Sequence, residues 1–353
     1  PTENQTQEDT FDSNQGARIQ HAEITDELAN RFFSRFWGRQ DVYSKRYVKK
    51  GTGEAGYYPQ CNHFWSEKCP RKTGKKIKCR DCSSQSWKKL DIAVLKKHLE
   101  GKAADASDVI GIYPLLPNDT CRFLVFDFDN HEKDAGKEEA RDADEKWKEE
   151  VETLREICRQ NGIDALTERS RSGRGVHVWI FFQSAVDAPF ARKFGFALLE
   201  KGAESVNLKS FTYYDRMLPA QDHIPDGGKS GKPGLGNLIA LPLQGLALKE
   251  GNSAFIDENW NAYPDQWGEL FRRQRLSKEF METCIKNWQP VNPFEETVEN
   301  QDGKGQEQQG QQSQGKQDKE CVKPWEQNRE FLAEDVDGKL MLTLSNLIYV
   351  DAS

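Results

Sequence analysis

Two aspartates end an apolar run in FLVFDFDNH, Phe123 to His131. Asp127 and Asp129 stand two residues apart, so a strand would turn both carboxylates to one face. Like charges held that close repel, and something must neutralise them. Hard divalent cations such as Mg²⁺ or Mn²⁺ suit the task, because they take carboxylate oxygens and fill their other positions with water and substrate phosphates. Two such ions clamp the attacking and leaving oxygens of a phosphoryl transfer, usually with a third carboxylate from elsewhere in the chain. Asp215, at the end of SFTYYD, is the first choice for that acid, and Asp222 in AQDH is the reserve. Taken alone, a DxD pair is also what an ordinary solvated strand end looks like.

The complement lies in ERSRSGRGVHVWIFF, Glu168 to Phe182. Arg169, Arg171 and Arg174 offer forked donors for phosphate. Ser170, Ser172 and the backbone at Gly173 and Gly175 can donate to phosphate oxygens as well. His177 occupies the polar face of the strand that follows, with Val176 and Val178 on the other face, so its imidazole stands beside a loop fit for a triphosphate. GGKS, Gly227 to Ser230, imitates the end of a P-loop, but the motif's first glycine would fall on His223 and no strand precedes it.

A second set of chemistry-bearing residues is C-x7-C-x9-C-x2-C: Cys61, Cys69, Cys79 and Cys82. Four thiolates suit tetrahedral zinc, with His63 as a possible substitute ligand. Arg71, Lys72, Lys75, Lys76, Lys78 and Arg80 surround the cluster, interleaved with Phe64, Trp65 and Trp87. Cations for phosphates and rings for bases make a nucleic-acid surface; the plain alternative is a solvated basic loop around a structural metal. The other four of the eight cysteines are scattered, which fits a reducing cytosol better than a disulfide scaffold.

The elements that must position these groups follow from periodicity. ITDELANRFFSRFWG and LDIAVLKKHLEG read as helices, the first capped by Thr25 and the second stopped by Gly101. VIGIYPLL, CRFLVFDF, IDALTE, VHVWIFF, SFTYYD and NLIALPL read as strands. Between them fall a long charged helix, from Lys133 to about Gln160 with Trp147, Val151, Leu154 and Ile157 as its buried stripe, and the helix APFARKFGFALLEKG. The alternation points to an α+β or mixed α/β fold. The chain divides into a disordered tail (1–22), a helical segment with the zinc-binding module at 61–82 (23–105), a catalytic core (106–292), a Gln/Gly-rich linker (293–320) and the start of a further region (321–353). At 353 residues, 36% hydrophobic and 30% charged, with no run of 18 apolar residues, it belongs to the soluble class and needs no membrane partner. Its N-terminus has no apolar segment of the secretory kind. The net charge of −7 argues against nucleic acid only as a sum, since the basic residues cluster.

DxD on a strand, a loop and strand carrying Ser and His, and a later strand-end Asp together resemble the pattern of archaeo-eukaryotic primases, the primase-polymerase superfamily. RSRSGRGVHVWIFF, YYDRMLPAQD and GLGNLIALPLQ are closer still to the primase domain of bacterial and phage-borne TOTE conflict systems, over about Ile24 to Pro290. The resemblance implies a two-lobed core, with an RRM-like catalytic sheet beside a second α+β unit. It implies Asp127 and Asp129 as the metal-binding first motif, Ser172 and His177 as the second, at the incoming triphosphate, and Asp215 as the third. Ser172 stands five residues before His177, a departure from a strict Ser-x-His. The implied activity is a template-dependent nucleotidyltransferase that makes or extends primers on single-stranded DNA by a two-metal mechanism with Mg²⁺ or Mn²⁺. Its partners would be template, primer and nucleoside triphosphates, with a helicase region following in the same polypeptide, in the cytoplasm of a bacterium or a phage host. The basic, zinc-bearing stretch would grip template or primer. Two rivals remain. A haloacid-dehalogenase-like phosphatase would need Thr or Val at position 131, which is His. A non-catalytic, zinc-dependent nucleic-acid-binding module would keep DxD as structure only.

Overall fold

The computed structural model describes residues 18–129, 137–206, 211–226 and 233–288, plus a short antiparallel pair, Lys339–Leu340 with Val350–Asp351. His131, the GGKS segment and the expected linker lie outside the described residues. Gln20, within the stretch expected to be a disordered tail, donates its backbone N–H to the Pro264 carbonyl at 2.8 Å.

The chain runs α1 (Asp26–Arg35), β1 (Ser44–Val48), β2 (Ala55–Pro59), α2 (Ile92–Glu100), β3 (Ile110–Ile112), β4 (Thr120–Asp129), α3 (Lys137–Gln160) and β5 (Leu166–Arg169). It continues with β6 (Gly175–Asp187), α4 (Ala188–Val206), β7 (Tyr214–Leu218), β8 (Ile239–Ala240), α5 (Gly245–Leu248), β9 (Ala254–Phe255), α6 (Gln266–Arg272) and α7 (Lys278–Trp288). Local chemistry sets the helix ends. Thr25 Oγ1 accepts from Leu28 N at 3.1 Å to start α1, and Asp91 Oδ1 accepts from Val94 N at 2.9 Å to start α2. Gly101 closes α2 at φ 59°, where a side chain would run into the backbone of Leu246 at 2.0 Å.

The architecture is mixed α/β with two antiparallel sheets, ordered β2-β1-β3-β8 and β7-β4-β6-β5-β9. The first sheet draws strands from both sides of residue 106. In the second, β4 lies between β7 and β6 and is buried on both faces. Leu124, Phe126 and Phe128 join a core with Val151 and Leu154 of α3 and Phe194 of α4. Phe123 and Val125 join a second core with Phe32 and Phe36 of α1, Leu95 of α2 and Ile110 of β3. A strand covered twice reads as a continuous apolar run, which is why CRFLVF shows no alternation. The second core ends at Val125, and the next two residues on that face are Asp127 and Asp129. The carboxylates therefore mark where the packed layer opens.

His98 ties the first sheet together. It is fully buried in α2, where Nδ1 accepts from Ile110 N at 3.3 Å and Nε2 donates to the Pro242 carbonyl at 3.0 Å. Burial pushes its pKa down to about 4, against the pull of the Pro242 carbonyl and Asp108. The unfolded chain binds a proton below about pH 6.5 that the folded chain refuses, so this contribution to stability is complete above pH 6.5 and falls away towards pH 4. Chemical denaturation across that window is expected to lose roughly 3 kcal/mol more in wild type than in His98→Gln. Equal pH slopes would rule this out. Among the described residues no helix is long and apolar enough to cross a membrane.

Candidate active site

Antiparallel register places one row of polar side chains across three strands: Asp127 of β4 opposite His177 of β6, and His177 opposite Glu168 of β5. Directly opposed residues share a face. His177 Nδ1 donates to Glu168 Oε2 at 2.9 Å, and its Nε2 faces Asp127 Oδ1 at 3.5 Å. Glu168 is 1% exposed, and the same Oε2 also accepts from Trp179 Nε1 at 2.9 Å. Burial alone would lower the His177 pKa. The charge and hydrogen bond of Glu168, then Asp127 and Asp129, overcome that and hold it up at about 9, so the ring is a cation at neutral pH. Asp127 moves the other way from a simple ion pair. Burial raises its carboxyl above the usual range, and His177 and Arg216 offset this only in part, while Asp215 and Asp129 add to it. The imidazolium is closer to Glu168 than to Asp127, so most of its charge is already answered there. The aspartate end is left short of positive charge.

Asp215 reaches the row through a β-bulge. Asp127 pairs with Arg216 and Phe128 with Tyr214, which leaves Asp215 as the extra residue on β7. It lies near the start of its strand; SFTYYD read as a strand ending there, and the pairing in fact begins at Tyr214 and continues to Leu218. Arg216 holds Asp215 through Nε at 2.8 Å and approaches Asp127 Oδ2 at 3.6 Å. Upstream, Glu150 of α3 anchors this segment by accepting the backbone N–H groups of Thr212 at 2.6 Å and Tyr213 at 2.9 Å. Asp222 is not brought to the row; it is paired with Arg192 of α4 at 2.6 Å.

Asp129 sits opposite Gly175. A Cβ there would lie 2.6 Å from the Phe128 carbonyl oxygen and 3.1 Å from Asp129 Oδ1, so only glycine leaves room for the carboxylate. Gly175→Ala is expected to destabilise the fold by about 1–3 kcal/mol and to cut activity about tenfold or more by displacing Asp129. A melting curve and a rate measurement, with activity and stability both unchanged, would refute the fit. Among the described residues, no group of three or more His, Cys, Asp or Glu stands as a finished metal cage. The donor chemistry nevertheless suits a hard divalent cation, with acidic oxygens and a deficit of positive charge at Asp127.

Ser170 to Arg174 form the tight turn between β5 and β6. Ser170 N donates to the Gly175 carbonyl at 2.8 Å, Gly175 N donates to Ser170 Oγ at 3.1 Å, and the Ser170 and Ser172 hydroxyls meet at 3.1 Å. Gly173 takes φ 75°, the left-handed conformation such a turn requires. Arg174 and Ser172 are exposed beside the row. Arg171 lies against Tyr57 of β2 and close to Arg46 of β1, so the turn meets the first sheet. Arg169 is not brought there. It pairs with Val176 on the helix-covered face, and its guanidinium donates to the carbonyls of Gly251, at 2.9 Å, and Trp260.

A family model described as the archaeo-eukaryotic primase domain of the TOTE conflict system matches residues 27–284. The chain belongs to that family. A comparison with curated proteins finds no match. Among solved structures, the polymerase domain from Mycobacterium tuberculosis Ligase D in complex with DNA is similar at 13% identity and a TM-score of 0.36, over 74% of this chain and 86% of that one.

In this primase domain the sequence reading missed Glu168 and Arg216. Glu168 had a signal: two residues after Leu166, on a strand read next to VHVW, it belongs to the inward face. Arg216 had none, because its pairing opposite Asp127 is invisible in YYDRML.

The cysteine loop of the primase domain packs beside the first sheet. Cys61, Cys69, Cys79 and Cys82 line one pocket of about 30 Å³, together with His63. The backbone N–H groups of His63 and Ser86 each donate to Cys61 Sγ at 3.4 Å. Burial pushes the Cys79 thiol up, with Arg71 opposing and the neighbouring cysteines adding to the rise. His63 Nδ1 is used on the Ser84 carbonyl at 2.7 Å. Arg71, Lys72, Lys75, Lys76 and Lys78 are exposed on this loop, while the Arg80 side chain lies outside the described atoms. Lys72 is paired with Glu67 at 2.6 Å.

Proposed function

We propose that this domain is a template-dependent nucleotidyltransferase, a primase-polymerase that makes or extends primers on single-stranded DNA. The observation that carries the reading is the row Glu168–His177–Asp127 at the open end of a buried sheet, with Asp129, Asp215 and the SRSGR turn beside it, in a chain of the primase family. Mg²⁺ or Mn²⁺ held by Asp127, Asp129 and Asp215 would activate the attacking 3′-hydroxyl and neutralise the leaving pyrophosphate. His177, charged and locked by Glu168, presents Nε2–H to a phosphate oxygen of the incoming triphosphate. Arg174 and the hydroxyls of Ser170 and Ser172 hold the outer phosphates, while Arg171 steadies the turn against Tyr57. Arg216 is placed to leave Asp215 and meet negative charge that develops between the two acids. The exposed basic residues of the cysteine loop hold template or primer, and a helicase region in the same cytoplasmic polypeptide belongs to this reading.

The test is primer synthesis on unprimed single-stranded DNA, with NTPs and dNTPs compared under Mg²⁺ and Mn²⁺. Labelled product that depends on template and metal is expected; no incorporation on bare or primed templates would reject the proposal.

Zinc in the four-cysteine pocket is part of the same proposal, since thiolates and backbone N–H···S bonds suit it. Metal analysis of purified protein is expected to find stoichiometric zinc, lost in the Cys79→Ser, Cys82→Ser double variant. Wild-type protein free of zinc would rule the site out.

A further inference from the structure

A groove of about 800 Å³ separates the cysteine loop and β2 from residues 221–226 and 234–238. One wall carries the rings of Tyr47, Tyr58 and Phe64, and Trp65 continues the ladder at the groove's edge. Tyr47 and Tyr58 lie 5.7 Å apart, Tyr58 and Phe64 stack at 5.2 Å and 23°, and Phe64 meets Trp65 edge-on at 5.8 Å. The outer two are unusually open for large apolar side chains, Phe64 at 42% exposed and Trp65 at 58%. Trp65 also has φ 56°, a left-handed backbone that a bulky residue adopts only against its preference. An indole held out in water by a strained backbone is costly twice over, and such strain collects where a ligand is met.

The groove carries charge to match. Arg71, Lys78 and Lys49 line it, the last paired with Glu54 at 2.6 Å, and Asp226 is the carboxylate among its described lining residues. The local sign is thus opposite to that of the chain as a whole, whose net charge is −7. The far wall is built in advance: Gly234 N donates to the Pro225 carbonyl at 2.7 Å, and the buried Arg39 donates to the Gly234 carbonyl at 2.7 Å. Tyr57 lines the groove and also touches Arg171 at the catalytic turn, so the groove opens beside the active site.

We propose that this groove holds the unpaired part of the DNA template, its bases stacked on Phe64 within the groove and on Trp65 at its edge, and its phosphates on Arg71 and Lys78. Bases within a duplex are already stacked on each other, so exposed rings select a single strand. Stacking on rings and charge contacts to phosphates read no base edge, which makes recognition tolerant of sequence. The assignment rests on the polymerase reading for its biological role, but binding is measured apart from catalysis.

The experiment is fluorescence anisotropy of labelled oligothymidylate with the full chain, in wild type, Phe64→Ala, Trp65→Ala and Lys78→Ala. Each ring removed is expected to weaken binding about tenfold. Lys78→Ala is expected to weaken it less and to flatten the salt dependence. Thermal melts of the ring variants should match wild type, because both side chains are exposed. Unchanged affinity in the Phe64→Ala, Trp65→Ala double variant overturns the groove, as does tighter binding of blunt duplex or of the equivalent RNA. Protein that incorporates nucleotides while that double variant still binds normally refutes the groove alone. Protein that fails to incorporate while the ring variants lose binding refutes the polymerase reading alone.

Discussion

Asp127→Ala combined with Asp129→Ala is expected to abolish nucleotide incorporation, a loss of at least about a thousandfold, because several kcal/mol of transition-state charge stabilisation pass through these oxygens. The fold should survive. His177 keeps its 2.9 Å bond to Glu168, and Arg216 keeps Asp215 at 2.8 Å, so neither cation is stranded. Asp127 is already a carboxyl that burial makes costly to ionise, and its removal relieves that penalty. The measurements are primer extension, a thermal melt and anisotropy on single-stranded DNA. Extension at the wild-type rate sinks the assignment of these acids. A collapsed melting transition would make them structural instead.

Glu168→Ala is expected to do two kinds of damage at once. It leaves the His177 and Trp179 ring N–H groups without their buried acceptor, and it removes the charge that offsets an imidazolium away from water. Breaking a buried pair of this sort costs about 3–5 kcal/mol. Glu168→Gln separates positioning from stability. It keeps the shape and an acceptor oxygen for Trp179, but its amide cannot compensate the His177 charge. Incorporation is expected to fall about 10–100-fold, as for other residues that orient a functional histidine, with most of the original melting temperature retained. The loss should appear in KM for the nucleotide more than for the template, since His177 faces the triphosphate in this scheme. A Gln variant with wild-type kinetics would reduce Glu168 to packing.

Much of this was legible in the residues. Thr25 and Gly101 marked helix ends because capping is local chemistry. The α3 stripe Trp147, Val151, Leu154 and Ile157 is buried as its 3.6-residue period requires. Asp127 and Asp129 share a face because strand period is two. What escaped was everything that depends on which strand lies beside which. Glu168 was read at the end of the strand IDALTE and Arg169 in the loop after it, yet β5 extends through both and sends them to opposite faces. Asp215 was read as a strand end because a bulge leaves no mark in YYDRML. The first sheet pairs β3 with β1, Ser44 opposite Gly111, and with the still more distant β8, Gly111 opposite Ala240, and no local pattern announces those pairings.

The row from Glu168 to Asp127 also sets how the site tolerates change over evolutionary time. Its members meet only because three strands are counted off against one another, and strand faces alternate. A single-residue insertion within β6 would carry His177 into the helix-covered core and bring a valine to face Asp127. There is no half-assembled form between those outcomes. Length variation within β5 and β6 beside the row is therefore disfavoured unless a bulge absorbs it, as one does at Asp215 in β7. The Ser170–Arg174 turn, which touches the phosphates in this scheme, is the element beside the row that can drift while the count is kept.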